Sequence, residues 1–369
     1  MKKFPAVLCA IILHASSTSA QEPSRTTLGG YGEIHYSDPD GSRQGRIDFQ
    51  RFVLYLAHAF TDRITLRSEV ELEHTRVEAG NPNGGELALE QAYLDFRIAE
   101  SFGIRAGLVL IPVGLINLSH DPPSLNGVER PAVEGVIIPT TGREAGAGVY
   151  GAPLDGVRYQ LYLTAGLDAA GFDAAEGIRE GRQEGFESTT ANPSLSGRID
   201  YTPVNGLALG ASFFAGHANA GVDSIGRAAV GLWSADARFT TGPFAFRGLV
   251  AAAAIGDAGL INGRYGENVA DRIYGYYLEG AWNILPLIAP DTEEDLSLFL
   301  RYERYDTQSS TTGFTPLAQY NRNDIVVGAT YKPAFNVALK ANYLWNRNAL
   351  NAGDARNSGQ FSMGFGYAF

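Results

Sequence analysis

From residue 63 to residue 76 the chain alternates with a period of two. Ile64, Leu66, Ser68, Val70 and Leu72 fall on one side of an extended segment, and Thr65, Arg67, Glu69, Glu71, Glu73 and Thr75 fall on the other. That period belongs to a β-strand and not to a helix, so the segment reads as a strand with one oily face and one charged face. The pattern recurs in about sixteen segments, near 28–36, 47–60, 63–76, 86–98, 102–112, 143–151, 156–167, 194–202, 206–216, 229–240, 243–254, 272–285, 295–306, 323–332, 335–347 and 358–369. A tilted strand of about ten residues is long enough to cross a bilayer.

The connections alternate in length. Short links at 61–62, 99–101, 152–155, 203–205, 241–242 and 333–334 alternate with long ones at 37–46, 77–85, 113–142, 168–193, 217–228, 255–271, 307–322 and 348–357. Only 286–294, on the short side, is longer than this rule allows. An up-and-down barrel with tight periplasmic turns and long external loops has this alternation, whereas the Greek-key connections of a sandwich mix lengths at both ends. Phe60, Phe96, Phe102, Tyr201, Phe239, Phe244, Trp282, Tyr331 and Phe335 flank the short links, where an interfacial aromatic girdle belongs. At the C-terminus Phe361, Met363, Phe365, Tyr367 and Phe369 alternate with Ser362, Gly364, Gly366 and Ala368. A last amphipathic strand ending in Phe resembles the assembly signal of bacterial outer-membrane barrels, which makes Phe369 the expected contact for the barrel assembly machinery.

Composition narrows the class. With 45% hydrophobic, 11% aromatic and 19% charged residues the chain is too apolar to be disordered, and no stretch reaches the ~20 apolar residues of a spanning helix. Residues 1–20 read as a signal peptide: Lys2 and Lys3, an apolar run over 4–13, then small residues with Thr18 and Ala20 at the −3 and −1 positions. Cleavage leaves 349 residues, 27 basic and 40 acidic, for a net charge of −13. It also removes Cys9, the single cysteine, so disulfides and thiolate metal sites are excluded. So negative a chain is a poor nucleic-acid binder. The expectation is an all-β transmembrane antiparallel up-and-down barrel of sixteen strands over 21–369, embedded in outer-membrane lipid.

Several stretches resemble the phosphate-selective porin O and P family, in the broad sense that includes many general porins. They are IRAGLVLIPVGLINL at 104–118, HDPP at 120–123, ERP at 129–131, IIPTTGREAG at 137–146 and FLRYERYDT at 299–307. The resemblance covers nearly the whole mature chain. It implies a 16-stranded barrel, a homotrimer, and passive passage of small hydrophilic solutes without a cofactor. Family members that select phosphate are understood to combine an arginine ladder with lysine-rich regions. Here the mature chain keeps 25 Arg but only Lys332 and Lys340, so phosphate is one small anion among the candidate solutes.

Taking the polar parity of each strand as inward, the basic wall residues are Arg51, Arg67, Arg97, Arg105, Arg158, Arg198, Arg238, Arg247, Arg301 and Lys340, and the acidic ones Glu69, Glu71, Glu73, Asp95, Asp200, Asp236, Glu279 and Glu303. Register through the short turns places Asp95 opposite Arg105 and Asp236 opposite Arg247, as cross-strand pairs. The longest loop, 113–142, follows the fifth strand, the position where porins fold a loop into the lumen. Its Pro122, Pro123, Pro131 and Pro139 restrict the backbone, so Asp121, Glu129, Arg130 and Glu134 are the expected constriction charges. The charged run 176–184 reads as a solvated external loop.

Two other functions compete. A barrel enzyme with a Ser–His pair has one constellation to draw on, Glu33, His35 and Ser37 on one face of the first strand, but that is the polar face, turned from the lipid. A soluble exported β-protein that binds sugars is the other. No phosphate loop, zinc-ligand spacing or dinucleotide fingerprint is present.

Overall fold

The computed structural model describes residues 25–42, 44–77, 84–350 and 357–369; the segment read as a signal peptide lies outside the described residues. Sixteen strands run β1 (Thr26–Pro39), β2 (Arg46–Ala59), β3 (Ile64–Glu73), β4 (Leu87–Ala99), β5 (Phe102–Leu110), β6 (Arg143–Leu154), β7 (Val157–Thr164) and β8 (Ser194–Val204). They continue as β9 (Leu207–His217), β10 (Ala229–Thr241), β11 (Phe244–Ile255), β12 (Arg272–Asn283), β13 (Asp295–Ser310), β14 (Asn321–Ala334), β15 (Val337–Asn348) and β16 (Asn357–Ala368). Every expected strand is present, with its ends displaced by at most four residues. Each strand pairs antiparallel with its sequence neighbours, and β1 closes the barrel on β16 from Tyr31↔Ala368 to Pro39↔Gln360. Closure leaves no open edge, as a bilayer demands of backbone polar groups.

Burial is inverted relative to a soluble protein. On β3, Val70 is 38% exposed while Glu69 and Glu71 on either side are 1% and 3% exposed. The charged face is therefore the interior, and the exposed face carries the leucines, phenylalanines and tryptophans that meet lipid. At the short-link end Phe60, Phe102, Tyr201, Phe239, Phe244, Trp282 and Phe335 are all exposed, and Phe244 stacks on Trp282 with centroids 6.0 Å apart. Phe369 completes this rim: its backbone exchanges hydrogen bonds with Gly30 (2.9 and 3.0 Å), and its ring stacks on Tyr367.

Two irregularities change what the wall presents. Glu69 faces Gln91 while Val70 faces Leu89, so Glu90 is the extra residue of a β-bulge. Glu90 and Gln91 both turn inward there, which the alternation within LALEQAYL encodes as a switch of apolar parity from Leu87 and Leu89 to Ala92 and Leu94. The second concerns the β10–β11 hairpin, where Thr241 pairs with Phe244 across Gly242 and Pro243. The turn is centred one residue later than 241–242, so Arg247 lies opposite Arg238, and Asp236 lies opposite Leu249 instead of Arg247.

The interior is not polar throughout. On β9 to β13, Phe214, Val230, Leu232, Leu249, Ile255, Ile273 and Tyr277 are buried on the inward face and pack against Val133, Ile137, Phe172, Ile178, Ile225 and Ile261 from the long connections. Helix α1 (Ala132–Val136) and helix α2 (Ala258–Tyr265) belong to these connections, and no described helix is long and apolar enough to cross a membrane.

Candidate permeation pathway

The 111–142 segment is tied to polar-face side chains all round the barrel. Gly114 N–H donates to Ser212 of β9 (3.1 Å), and its carbonyl accepts from Arg198 of β8 (2.8 Å). Asn126 donates to Glu279 of β12 (2.9 Å), Val133 N–H to Glu303 of β13 (3.1 Å) and Val128 N–H to Asn342 of β15 (2.8 Å). The Glu129 carbonyl accepts from Arg301 (3.3 Å), while its carboxylate meets His35 Nδ1 of β1 at 3.1 Å. On β16 a Cβ at Gly366 would stand 2.3 Å from Pro122 Cβ. A side chain there would collide with the proline, so the glycine is what lets the segment lie against this wall.

The four loop charges have different fates. Glu129 is reached by solvent, its side chain 59% exposed. Enclosure within the barrel partly desolvates it and works against its charge, but the hydrogen bond and positive charge of His35 outweigh that and hold its carboxyl below the ordinary carboxylate range. Arg130 lines a cavity of about 240 Å³ with Arg51, Arg179, Glu129 and Glu176, and Asp121 is half-buried ahead of a short 3₁₀ turn at Pro122–Ser124. Glu134 does not face solvent. It is 0% exposed and accepts from Leu115 N–H (2.8 Å), Ile116 N–H (2.7 Å) and the Tyr277 hydroxyl (2.7 Å). Burial pushes its carboxyl up, against those three bonds. Glu134 is thus an anchor that folds 114–134 onto β12, a role no local pattern around it discloses.

Along the wall, acidic side chains are consumed in ion pairs. Arg105 Nε donates to Asp95 (2.8 Å) opposite it, as expected, and its guanidinium also lies over Tyr150 and reaches the Tyr162 hydroxyl. Asp236 is held by Arg198 through bonds of 2.7 and 3.0 Å, and Arg198 also takes Asp200. This pair reaches across β9 because position 210 is glycine: a Cβ there would be 2.1 Å from the Arg198 guanidinium. Arg247 and Arg301 share Glu279 at 2.8 and 3.4 Å, and Arg301 takes Glu303 at 2.8 Å. Arg51 takes Glu33 (2.8 Å) and Glu71 (2.9 Å). Arg67, Arg97, Arg158 and Arg238, by contrast, are exposed on inward positions, and Arg238 borders a second cavity of about 200 Å³ that Leu125 separates from the first. Lys340 and Glu69 are buried on the inner face, and Glu73 is half-buried.

One further expectation is corrected. The 176–184 run is not simply solvated. Arg179 donates to the carbonyls of Gly135 and Thr140, and Glu184 accepts from Arg143 at 2.7 Å. His35, the histidine of the enzyme alternative, sits between Glu33 (3.0 Å) and Glu129 (3.1 Å).

A family model described as phosphate-selective porin O and P matches residues 29–369. An uncharacterised protein of Aquifex aeolicus (strain VF5) is 37% identical over 344 residues, 89% of this chain and 78% of that protein. Among solved structures, the outer membrane channel DcaP of Acinetobacter baumannii matches with a TM-score of 0.62 at 12% identity, over 93% of this chain and 97% of that one. The anion-selective porin from Comamonas acidovorans matches with a TM-score of 0.59 at 14% identity, over 93% and 99%. OmpT of Vibrio cholerae, in trimer form, matches with a TM-score of 0.57 at 11% identity, over 93% and 99%. At such identities these structures share the fold. The closed barrel, its apolar exterior and the family match over nearly the whole chain make this a channel of the bacterial outer membrane for passive diffusion of small solutes, and the chain belongs to the phosphate-selective porin O and P family.

Proposed function

We propose that this porin is a general diffusion channel with a preference for small anions, phosphate among them, and that residues 113–142 form its constriction. The observation that carries the reading is the asymmetry of accessible charge. Asp95, Asp236, Glu279 and Glu303 are buried against arginines, while Arg67, Arg97, Arg158 and Arg238 remain exposed on the inner face. A solute entering from the short-turn end therefore meets guanidinium groups open to solvent while the mid-wall carboxylates are withdrawn, and low-dielectric walls strengthen their field. At the constriction Glu129 and Arg130 oppose each other in sign, which keeps the preference modest and unspecific.

The test is the reversal potential in a salt gradient across a planar bilayer. Replacing Arg67, Arg158 and Arg238 together by Gln moves it toward cation preference; an unchanged potential sinks the reading. A homotrimer, in line with the trimer form of OmpT of Vibrio cholerae, belongs to this reading, and channel activity rather than enzymatic turnover accords with a His35 engaged by two carboxylates. In this reading the signal peptide at 1–20 is removed on export and Phe369 is read by the assembly machinery. Deleting Phe369 then lowers folded protein in the outer membrane while export continues, as a fractionation blot of unheated samples reports. Undiminished folding removes that role.

A further inference from the structure

The 111–142 segment meets the wall at a group that the ion pairs above leave out. Glu69 of β3, Glu90 of the β4 bulge and His120 of the segment are 1%, 0% and 5% exposed, and one donor atom from each lies within 4.8 Å of the other two. His120 Nε2 stands 3.3 Å from Glu90 Oε2 and 3.9 Å from Glu69 Oε1. Around a tetrahedral ion with bonds of about 2.0–2.1 Å, ligand atoms are separated by roughly 3.3–3.4 Å; the His120–Glu90 separation already has this value, and the Glu69 carboxylate would close in by a few tenths of an ångström.

Three independent features point to a ligand there. The Oε1 atoms of Glu69 and Glu90 are buried without a hydrogen-bond partner, and Glu69 Oε1 is the atom aimed at His120. Unpaired buried carboxylate oxygens are costly. Second, His120 Nδ1 lies 3.1 Å from the Asn117 carbonyl. A carbonyl only accepts, so Nδ1 carries a proton, and in a neutral imidazole the Nε2 lone pair then faces two carboxylates. This backbone-oriented tautomer is the one found behind metal-bound histidines. Third, Gln91 donates to Glu69 Oε2 at 2.5 Å, orienting the carboxylate with Oε1 toward the cluster. Arg51, which could have balanced the charge, is engaged by Glu33 and Glu71.

We propose that Glu69, Glu90 and His120 bind one divalent transition-metal ion of the zinc class, which fastens the 111–142 segment to β3 and β4. One imidazole nitrogen and two carboxylate oxygens suit Zn²⁺ better than Mg²⁺ or Ca²⁺, which take oxygen-only shells of six or more ligands. A dication also cancels the two buried carboxylate charges. Tyr31, fully buried with its hydroxyl unpartnered, packs its ring edge-on to His120 at 6.0 Å. His120 borders the cavity that also holds Glu129 and Arg130, which supplies an entry path. The alternative occupant is a proton, giving an imidazolium between two carboxylates.

The full chain, folded in detergent and stripped with a chelator, is titrated with ZnCl₂ and in parallel with MgCl₂, and bound metal is counted by elemental analysis after desalting. The expected result is one zinc and no magnesium per chain, a zinc-dependent rise in the melting transition, and loss of both in H120Q and E90Q. Q91A, which touches the ion only through Glu69, weakens binding about 10–100-fold. E180Q, on the exposed side of its loop, binds as wild type and controls for folding. Should a variant fail to fold, zinc-edge absorption on the wild type decides, since one nitrogen and two carboxylate oxygens are required. No retained zinc, or zinc kept equally by H120Q, overturns the proposal in favour of the proton.

Discussion

Two sectors of the same barrel wall hold the external connections by different physics. Toward the long-loop ends of β9 to β12, beyond Asp236, Arg247 and Glu279, the inward face is apolar: Leu232 is 3% exposed while its neighbour Trp233, facing lipid, is 50% exposed, and Leu232, Leu249 and Ile255 bury Ile137, Phe172 and Ile178 from the loops. Over β1 to β4 the inward face is charged, and Arg51, Glu33, Glu69 and Glu90 meet the same 111–142 segment through His35 and His120. Hydrophobic burial is non-directional and roughly proportional to area, so the apolar cluster by itself holds the loops down without fixing atoms, and side chains there are positioned by bonds such as Tyr277 to Glu134 and Val133 N–H to Glu303. Ion pairs and hydrogen bonds are directional, so the second sector fixes individual side chains beside the cavity that Glu129 and Arg130 line. The comparison teaches that an interior built on one strand period can serve as a hydrophobic core on one side and an electrostatic surface on the other.

The largest effect is expected in the apolar sector. Phe172→Ala removes a fully buried ring and costs about 3–5 kcal/mol of loop packing. Protease added to intact cells should then cut within 165–193, while the unheated barrel keeps its gel mobility. Resistance equal to wild type would show that hydrogen bonds, not the cluster, hold the loop. A smaller effect follows from Gly366→Val, which crowds Pro122 and costs about 1–3 kcal/mol by overpacking. Because β16 lies beside the charged sector, the displaced segment should change single-channel conductance while the loops stay protected; unchanged conductance would separate this contact from the pore.

The smallest effect is electrostatic. Glu129→Gln should shift the reversal potential toward anions, whereas Glu180→Gln, on the exposed side of its loop, should shift it less because salt screens it within ~8 Å at 0.15 M. Since His35 holds the Glu129 carboxyl below the ordinary range, its charge survives acidification that neutralises unpaired carboxylates. The difference between wild type and Glu129→Gln should therefore persist as pH falls through the ordinary carboxylate range and vanish only below it. A difference lost within that range would mean that the His35 contact is broken in the conducting channel.

Strand number, face and order follow from the sequence because they are local: a period of two places every side chain relative to its neighbours, and alternating link lengths give the connectivity. Thus Arg67, Glu71 and Arg105 were legible as inward residues, and the Asp95–Arg105 pair followed from a hairpin. What requires register or distance was not legible. The turn at Gly242 and Pro243 is displaced by one residue, which moves Arg247 from Asp236 to Glu279. A bulge, visible only as a parity switch, brings Glu90 beside Glu69. Glu134 and Glu129 are equivalent acidic loop residues in the sequence, yet one is enclosed by Leu115, Ile116 and Tyr277 and the other is open to solvent beside His35. Glu69, Glu90 and His120 share no metal-ligand spacing, because two come from adjacent strands and one from a loop that returns across the barrel. Period is a property of neighbours along the chain; partner and burial belong to residues far apart in it, and only the closed barrel brings those together.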